Sequence, residues 1–185
     1  MGNMIDSREA SEALSEINEM TRRVRQSTIY SLSSQMLIMW GALVFAGNIA
    51  SFLWPRTGGY IWLALEAVGI VGSFALSAYS YPKTQIRAFD MRMFAAYLLV
   101  LAFGVFCCWF GHFTPRQIGT FWPIYFMLFY TMVGLWFGRA YVVIGCSITA
   151  LTLIGYFFIG DWFKPWMAVV NGGGLILGGL WMRRS

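Results

Sequence analysis

YIWLALEAVGIVGSFALSAYS, residues 60–80, holds no Lys, Arg or Asp and a single carboxylate, Glu66, over 21 positions. A bilayer hydrocarbon core about 30 Å thick asks for about 20 mostly apolar residues of helix, and this run meets that length. Pro55-Arg56-Thr57-Gly58-Gly59 precedes it and Pro82-Lys83 follows it, residue types that turn or stop a helix. The run shows none of the period-two alternation of a β-barrel strand, so it reads as a transmembrane helix.

Five more runs of the same kind flank it, over 31–54, 91–111, 119–137, 141–159 and 165–182. They are closed by His112-Phe113-Thr114-Pro115-Arg116, by Gly138-Arg139, by Gly160-Asp161 and by Arg183-Arg184. Short connections make consecutive helices antiparallel neighbours. The sequence therefore predicts an all-α integral membrane protein, six transmembrane helices in an up-down bundle preceded by a cytoplasmic amphipathic N-terminal helix, with residues 1–28 forming that helix and 29–185 the membrane domain.

Whole-chain composition agrees. Hydrophobic residues make up 58% of the chain and charged residues 11%, against about 25% charged in soluble domains, and mean hydropathy is +0.62. The 13 Lys and Arg outnumber the 8 Asp and Glu, and their placement predicts an orientation. Arg8, Arg22, Arg23, Arg25, Lys83, Arg87, Arg92, Arg139, Arg183 and Arg184 fall on one side of the six runs, leaving Arg56, Arg116 and Lys164 on the other. The positive excess marks the cytoplasmic face, so both termini are expected in the cytoplasm of a cell whose inner membrane the chain crosses several times. Trp54, Tyr60, Trp62, Trp109, Trp122, Tyr156, Trp162 and Trp166 collect near the opposite boundary as an aromatic belt. No cleavable signal peptide is expected, because the first thirty residues are charged, and Asp6 stands where a myristoylation motif starting at Met1-Gly2 needs Ser or Thr.

Ahead of the first run, Ala10, Ala13, Ile17, Met20 and Val24, with Leu14 beside them, recur at three- and four-residue steps and form one apolar stripe. Ser7 is a candidate N-cap, and Glu9, Glu12, Glu16 and Glu19 precede Arg22, Arg23 and Arg25 as the helix dipole favours, with Glu19 and Arg23 spaced to pair. Such a stripe serves to pair with a second copy or a cytoplasmic partner, or to lie against lipid headgroups or the chain's own inner face.

Polar groups inside spans are expensive, about 2.5–3.5 kcal/mol for an ionised one at mid-helix, so they are the natural candidates for function. Glu66 lies six residues in from Tyr60, Asn48 six residues before Trp54 and Asn171 six residues after Pro165, a shared depth of about 9 Å on three helices. Thr152, Cys107 and Tyr125 come within about one turn of the same level. If they face inward, Glu66, Asn48, Asn171, Thr152 and Tyr125 form an outward-open ligand or proton site. Otherwise Glu66 shares a hydrogen bond with Asn48 or Asn171 and holds helices together. Gly41 on the first run, and Gly174 and Gly178 in the sequence Asn171-Gly172-Gly173-Gly174-Leu175-Ile176-Leu177-Gly178, have the small-residue spacing of close helix packing. The same glycines admit a second reading, a helix unwound to offer carbonyls to an ion.

No catalytic residue is expected. Cys107, Cys108 and Cys146 form no CxxC pair, the single histidine, His112, supplies neither a metal set nor paired haem ligands, and there is no P-loop or nucleophile-elbow motif. The basic clusters flank spans and are not interleaved with exposed aromatics, which excludes nucleic acid as a partner. The expectation is a non-enzymatic protein without cofactor or metal, whose partners are the lipid bilayer, copies of itself or other membrane subunits, and a cytoplasmic partner for the N-terminal helix. The alternative is a small-solute or ion transporter or its binding subunit, with its pocket around Glu66.

Overall fold

The computed structural model of the chain describes residues 7–84 and 91–184. The Met1-Gly2 start, Asp6 and Arg87 lie outside the described residues, as do the side chains of Ser7, Glu9, Ala10, Val24 and the arginines 22, 23 and 25. Among the described residues all regular structure is helical. Seven α-helices follow in order: α1 (Ser7–Leu53), α2 (Gly58–Thr84), α3 (Met91–Phe110), α4 (Pro115–Phe137), α5 (Arg139–Phe158), α6 (Phe163–Met167) and α7 (Gly174–Arg184). A short 3-10 turn, Pro55–Thr57, joins α1 to α2.

The amphipathic segment and the first membrane run are one element. Helix α1 is 47 residues long, about 70 Å at 1.5 Å per residue, more than twice the hydrocarbon thickness. Its apolar part, Tyr30–Leu53, is long enough to cross a bilayer, as are Pro55–Ser80, Pro115–Trp136 and Arg139–Phe158. These four make the chain an all-α membrane protein by length and composition. The other two runs differ from the sequence expectation. In α3 the apolar stretch Phe94–Phe110 stays below the length of the other four. The run read as one helix over 165–182 is composite: α6 passes at Met167 into a π-helical stretch, Ala168–Gly173, which passes into α7. Three consecutive glycines, 172–174, supply no side chains to hold the α register, and the backbone widens there. The glycine run is thus neither an ordinary helix nor an unwound segment.

Helix boundaries follow from local chemistry that the hydropathy runs do not report. Helix α4 starts at Pro115, four residues before the apolar run, because Thr114 caps it: the Gln117 backbone N–H donates to Thr114 Oγ1 at 3.3 Å and the Thr114 N–H donates to Gln117 Oε1 at 2.8 Å. This is a capping box with proline at the first helical position. Helix α2 continues through Pro82 to Thr84, proline removing one backbone bond without ending the helix. Between α4 and α5, Gly138 sits at φ 142, a conformation open to glycine and strained for any residue with a Cβ.

The core lies between α1, α4, α5 and the last helical path. Leu37, Met127, Tyr141, Ile144, Ile148, Val170, Leu175 and Met182 form one buried cluster. Glycines set the closest approaches. A Cβ on Gly41 would stand 2.8 Å from the Gly172 carbonyl oxygen, one on Gly178 2.7 Å from Ile144, and one on Gly174 3.1 Å from Ile148. Side chain to backbone hydrogen bonds tie the same helices: Ser34 Oγ donates to the Gly179 carbonyl at 2.6 Å and Lys164 Nζ to the Ser51 carbonyl at 2.7 Å. Helices α2 and α3 lie at the edge of this core. Trp40 of α1 holds α2, its indole packed where Gly69 leaves room and its Nε1 donating to Ser73 Oγ at 3.2 Å.

Candidate functional site

Helix α2 presents Glu66 to α3, where the Tyr97 hydroxyl donates to Glu66 Oε1. Tyr97 itself stacks against Phe126 of α4 at 6.5 Å between ring centroids and lies 6.5 Å from Trp40 of α1. Glu66 therefore sits at a junction of four helices, half-buried, with its carboxylate answered by a phenol. A second contact, Phe74 edge-on to Phe94 at 5.4 Å, shows that the Met91 end of α3 meets α2 well short of Thr84. Level counting from the run ends places Glu66 in the outer half and Tyr97 near the inner end of its own run, so the pairing was not visible from depth.

The other members of the expected polar layer are divided among separate contacts. Asn48 Nδ2 donates to the Val44 carbonyl of its own helix at 2.9 Å. The Tyr125 hydroxyl donates to the Val100 carbonyl at 3.2 Å, joining α4 to α3. No hydrogen bond links Glu66 to Asn48 or to Asn171 among the described residues. Thr152 and Asn171 do fall in one stretch of the interface between α5 and the last helix, because Ile148 lies against Gly174 and Trp166 Nε1 donates to the Leu151 carbonyl at 3.0 Å. Both are buried, and Thr152 Oγ1 and Asn171 Nδ2, like Ser51 Oγ, find no hydrogen-bond partner. Buried polar atoms are almost always paired, so Asn171 within the π-helical stretch and Thr152 on the facing helix are unusual, while Ser51 lies apart, near Gly58 and Lys164.

Two residues outside the expected set organise the end of the bundle where α4 begins and α5 ends. Arg116, at the start of α4, reaches across to the C-terminus of α5, where its guanidinium donates to the Tyr156 carbonyl at 2.8 Å and to the Ile159 carbonyl. Its flat face lies 4.9 Å from the Phe163 ring centroid and 5.7 Å from that of Tyr156. The last carbonyls of a helix carry partial negative charge and lack internal donors, and a guanidinium fork answers both needs. Lys164 does the same for α1 through the Ser51 carbonyl. Two of the three charges counted to the outer side are thus helix caps.

Two shallow grooves open among the described residues. One, of about 280 Å³, runs between α5 and α7 and is lined among others by Ser147, Ile148, Gly174 and Gly178; the other, of about 210 Å³, is lined by Phe113, Gln117, Thr120, Phe121 and Tyr156. Neither includes Glu66. Cys107, Cys108 and Cys146 are free, and among the described residues no three His, Cys, Asp or Glu side chains gather as a metal set. Chemically, the Glu66 junction is a phenol-to-carboxylate hydrogen bond between α3 and α2. The chain has no match among protein-family models, curated proteins or solved structures, and its functional reading rests on this geometry.

Proposed function

We propose that the chain is a six-span, non-enzymatic subunit of an inner-membrane assembly, with both termini in the cytoplasm, that works through helix packing and its N-terminal helix. The observation that carries this reading is the continuity of α1 beyond its apolar part. Residues 11–20 are exposed throughout, and Leu14, Ile17 and Met20 present 61%, 59% and 65% of their surface. An apolar stripe held off the membrane on a rigid extension of a span is a surface for association. Extraction of the full chain from native membranes in mild detergent, followed by size and mass analysis, tests it. A complex larger than the monomer is expected, one that loses its companion when Ile17→Glu and Met20→Glu are introduced; recovery of a lone chain overturns the reading.

A small-solute or ion transporter or binding subunit is the second reading. Its support is the pair of buried, unpaired polar atoms on Thr152 and Asn171 at the π-helical stretch, since π-bulges recur at functional sites. It places the ligand site between α1, α5 and the last helix, away from Glu66. Melting of the purified protein across a panel of ions and small polar solutes separates the two readings. A stabilising ligand whose effect disappears in Asn171→Leu and Thr152→Val supports transport; the same melting temperature with every ligand in the panel removes it.

A further inference from the structure

Helix α1 carries exposed residues on both sides of the membrane boundary, and a subset of them lines up along one face. At 100° per residue, Ile17 in the extension and Ser31, Gln35, Ala42, Ala46 and Leu53 in the span return to within about 60° of one another, and all six are exposed. Leu14 and Met20 flank this strip. Leu37, Gly41 and Ser51, through which α1 meets the rest of the protein, are buried and lie roughly opposite. Within the span the strip therefore points away from the chain's own bundle, and Ile17 falls on the same face of the extension.

Its composition suits a helix and not lipid. Gln35 is an amide exposed within an apolar span, where a donor and an acceptor both need partners. Ala42-xxx-Ala46 is a small-residue pair that admits close backbone approach. The occupant must cover an apolar stripe outside the bilayer and a polar, small-residue face inside it, without interruption. Lipid covers only the inner part and a soluble partner only the outer. A second copy of this chain, inserted in the same sense, brings the same face in the same register, and in a two-fold pair Gln35 meets its own copy as both donor and acceptor. Glu12 and Glu19 fall on the far side of the helix and Glu16 about 90° from the strip's centre, so no described acid lies on the strip itself. From Leu14 to Leu53 the strip is about 60 Å long and 10 Å wide, on the order of 1,200 Å² for the pair, the lower limit of specific stable interfaces.

We infer that the chain forms a parallel homodimer along this face of α1. The inference rests on the subunit reading above and names its partner. In full-length protein with Cys107→Ala, Cys108→Ala and Cys146→Ala, single cysteines are placed on the strip, Ile17→Cys and Ala42→Cys, and off it, Glu19→Cys and Leu128→Cys. All four positions are exposed, so the fold tolerates them. Oxidation in native membranes is expected to give disulfide-linked dimer at both strip positions, on the order of ten-fold above either control, because a disulfide forms only when the two Cα atoms come within about 7 Å. Failure at either strip position, or equal linkage at the controls, overturns the dimer. Linkage of Ile17→Cys to a chain of different mass overturns it while leaving the subunit reading standing. No linkage together with a monomeric detergent extract removes both.

Discussion

Glu66 and Tyr97 form a pair whose energetic role is separable from any chemical one. Gln at position 66 retains an oxygen that accepts the Tyr97 hydroxyl, so Glu66→Gln is expected to leave stability nearly unchanged. Tyr97→Phe removes the donor and is expected to cost about 0.6 kcal/mol, the average for polar contacts between membrane helices. Unfolding measurements on both variants check this, and a larger loss for Glu66→Gln than for Tyr97→Phe would show that the carboxylate does more than accept one bond. Arg116 is the stronger case. Arg116→Ala strips donors from the end of α5 and is expected to cost about 1–3 kcal/mol in thermal unfolding, Arg116→Lys recovering only part because an ammonium lacks the planar fork. These roles differ in how far the sequence discloses them. Glu66 stands out as the one carboxylate within the runs, but Tyr97 is one of nine tyrosines in an aromatic-rich chain, and nothing local marks it as the partner. Arg116 enters a loop count as an orientation charge. Its capping role depends on carbonyls of Tyr156 and Ile159, forty residues away, and only folding brings those together.

Among the elements, the last helical path shows where sequence patterns and backbone geometry diverge. Its small-residue spacing is legible, and Gly41, Gly174 and Gly178 do stand where helices approach closely. The π-helical register over Ala168–Gly173 is not legible, because three adjacent glycines are equally compatible with an α-turn, a π-turn or a break. Two neighbouring glycines give a matched test. A Cβ at Gly172 would stand 2.6 Å from the Phe45 backbone, whereas one at Gly173 would meet nothing within 4 Å. Gly172→Ala is therefore expected to destabilise by about 1–3 kcal/mol through overpacking against α1. Gly173→Ala should be neutral or stabilise by up to about 1 kcal/mol through reduced backbone entropy of the unfolded chain. Equal losses from both, measured by denaturation, would mean that the π register itself and not the contact with Phe45 governs this site. The start of α4 is the opposite lesson: Thr114-Pro115-Arg116-Gln117 spells a capping box, a signal that hydropathy windows pass over because every residue in it is polar or ring-constrained.

For the whole molecule, the open quantity is how many of the helices cross the membrane. Four have the length outright, and the other two lie close to the limit. The 17 residues of Phe94–Phe110 reach about 26 Å, and the path from Phe163 to Arg184 about 33 Å, against about 30 Å of hydrocarbon. A span a few ångström short is accommodated by local thinning of the bilayer at a cost of fractions of a kcal/mol per ångström. Charge counting is compatible with both four crossings and six: four leave Arg56 and Arg139 opposite the other eleven bases, six leave Arg56, Arg116 and Lys164 opposite the other ten. If neither α3 nor the last path crossed, Arg116, Lys164, Arg183 and Arg184 would share the side of the N-terminal helix and Arg139 would move to the opposite side. Six crossings keep all but Arg56, Arg116 and Lys164 on the cytoplasmic face, and those last two are engaged as helix caps. In a background without native cysteines, Gly59→Cys and Gly160→Cys, where a Cβ has open space, are expected to react with a membrane-impermeant maleimide on intact cells, whereas Arg139→Cys and Arg183→Cys react only after permeabilisation. Labelling of Arg183→Cys on intact cells would remove the sixth crossing, and failure of Gly160→Cys to label together with labelling of Arg139→Cys would remove the crossing of α3.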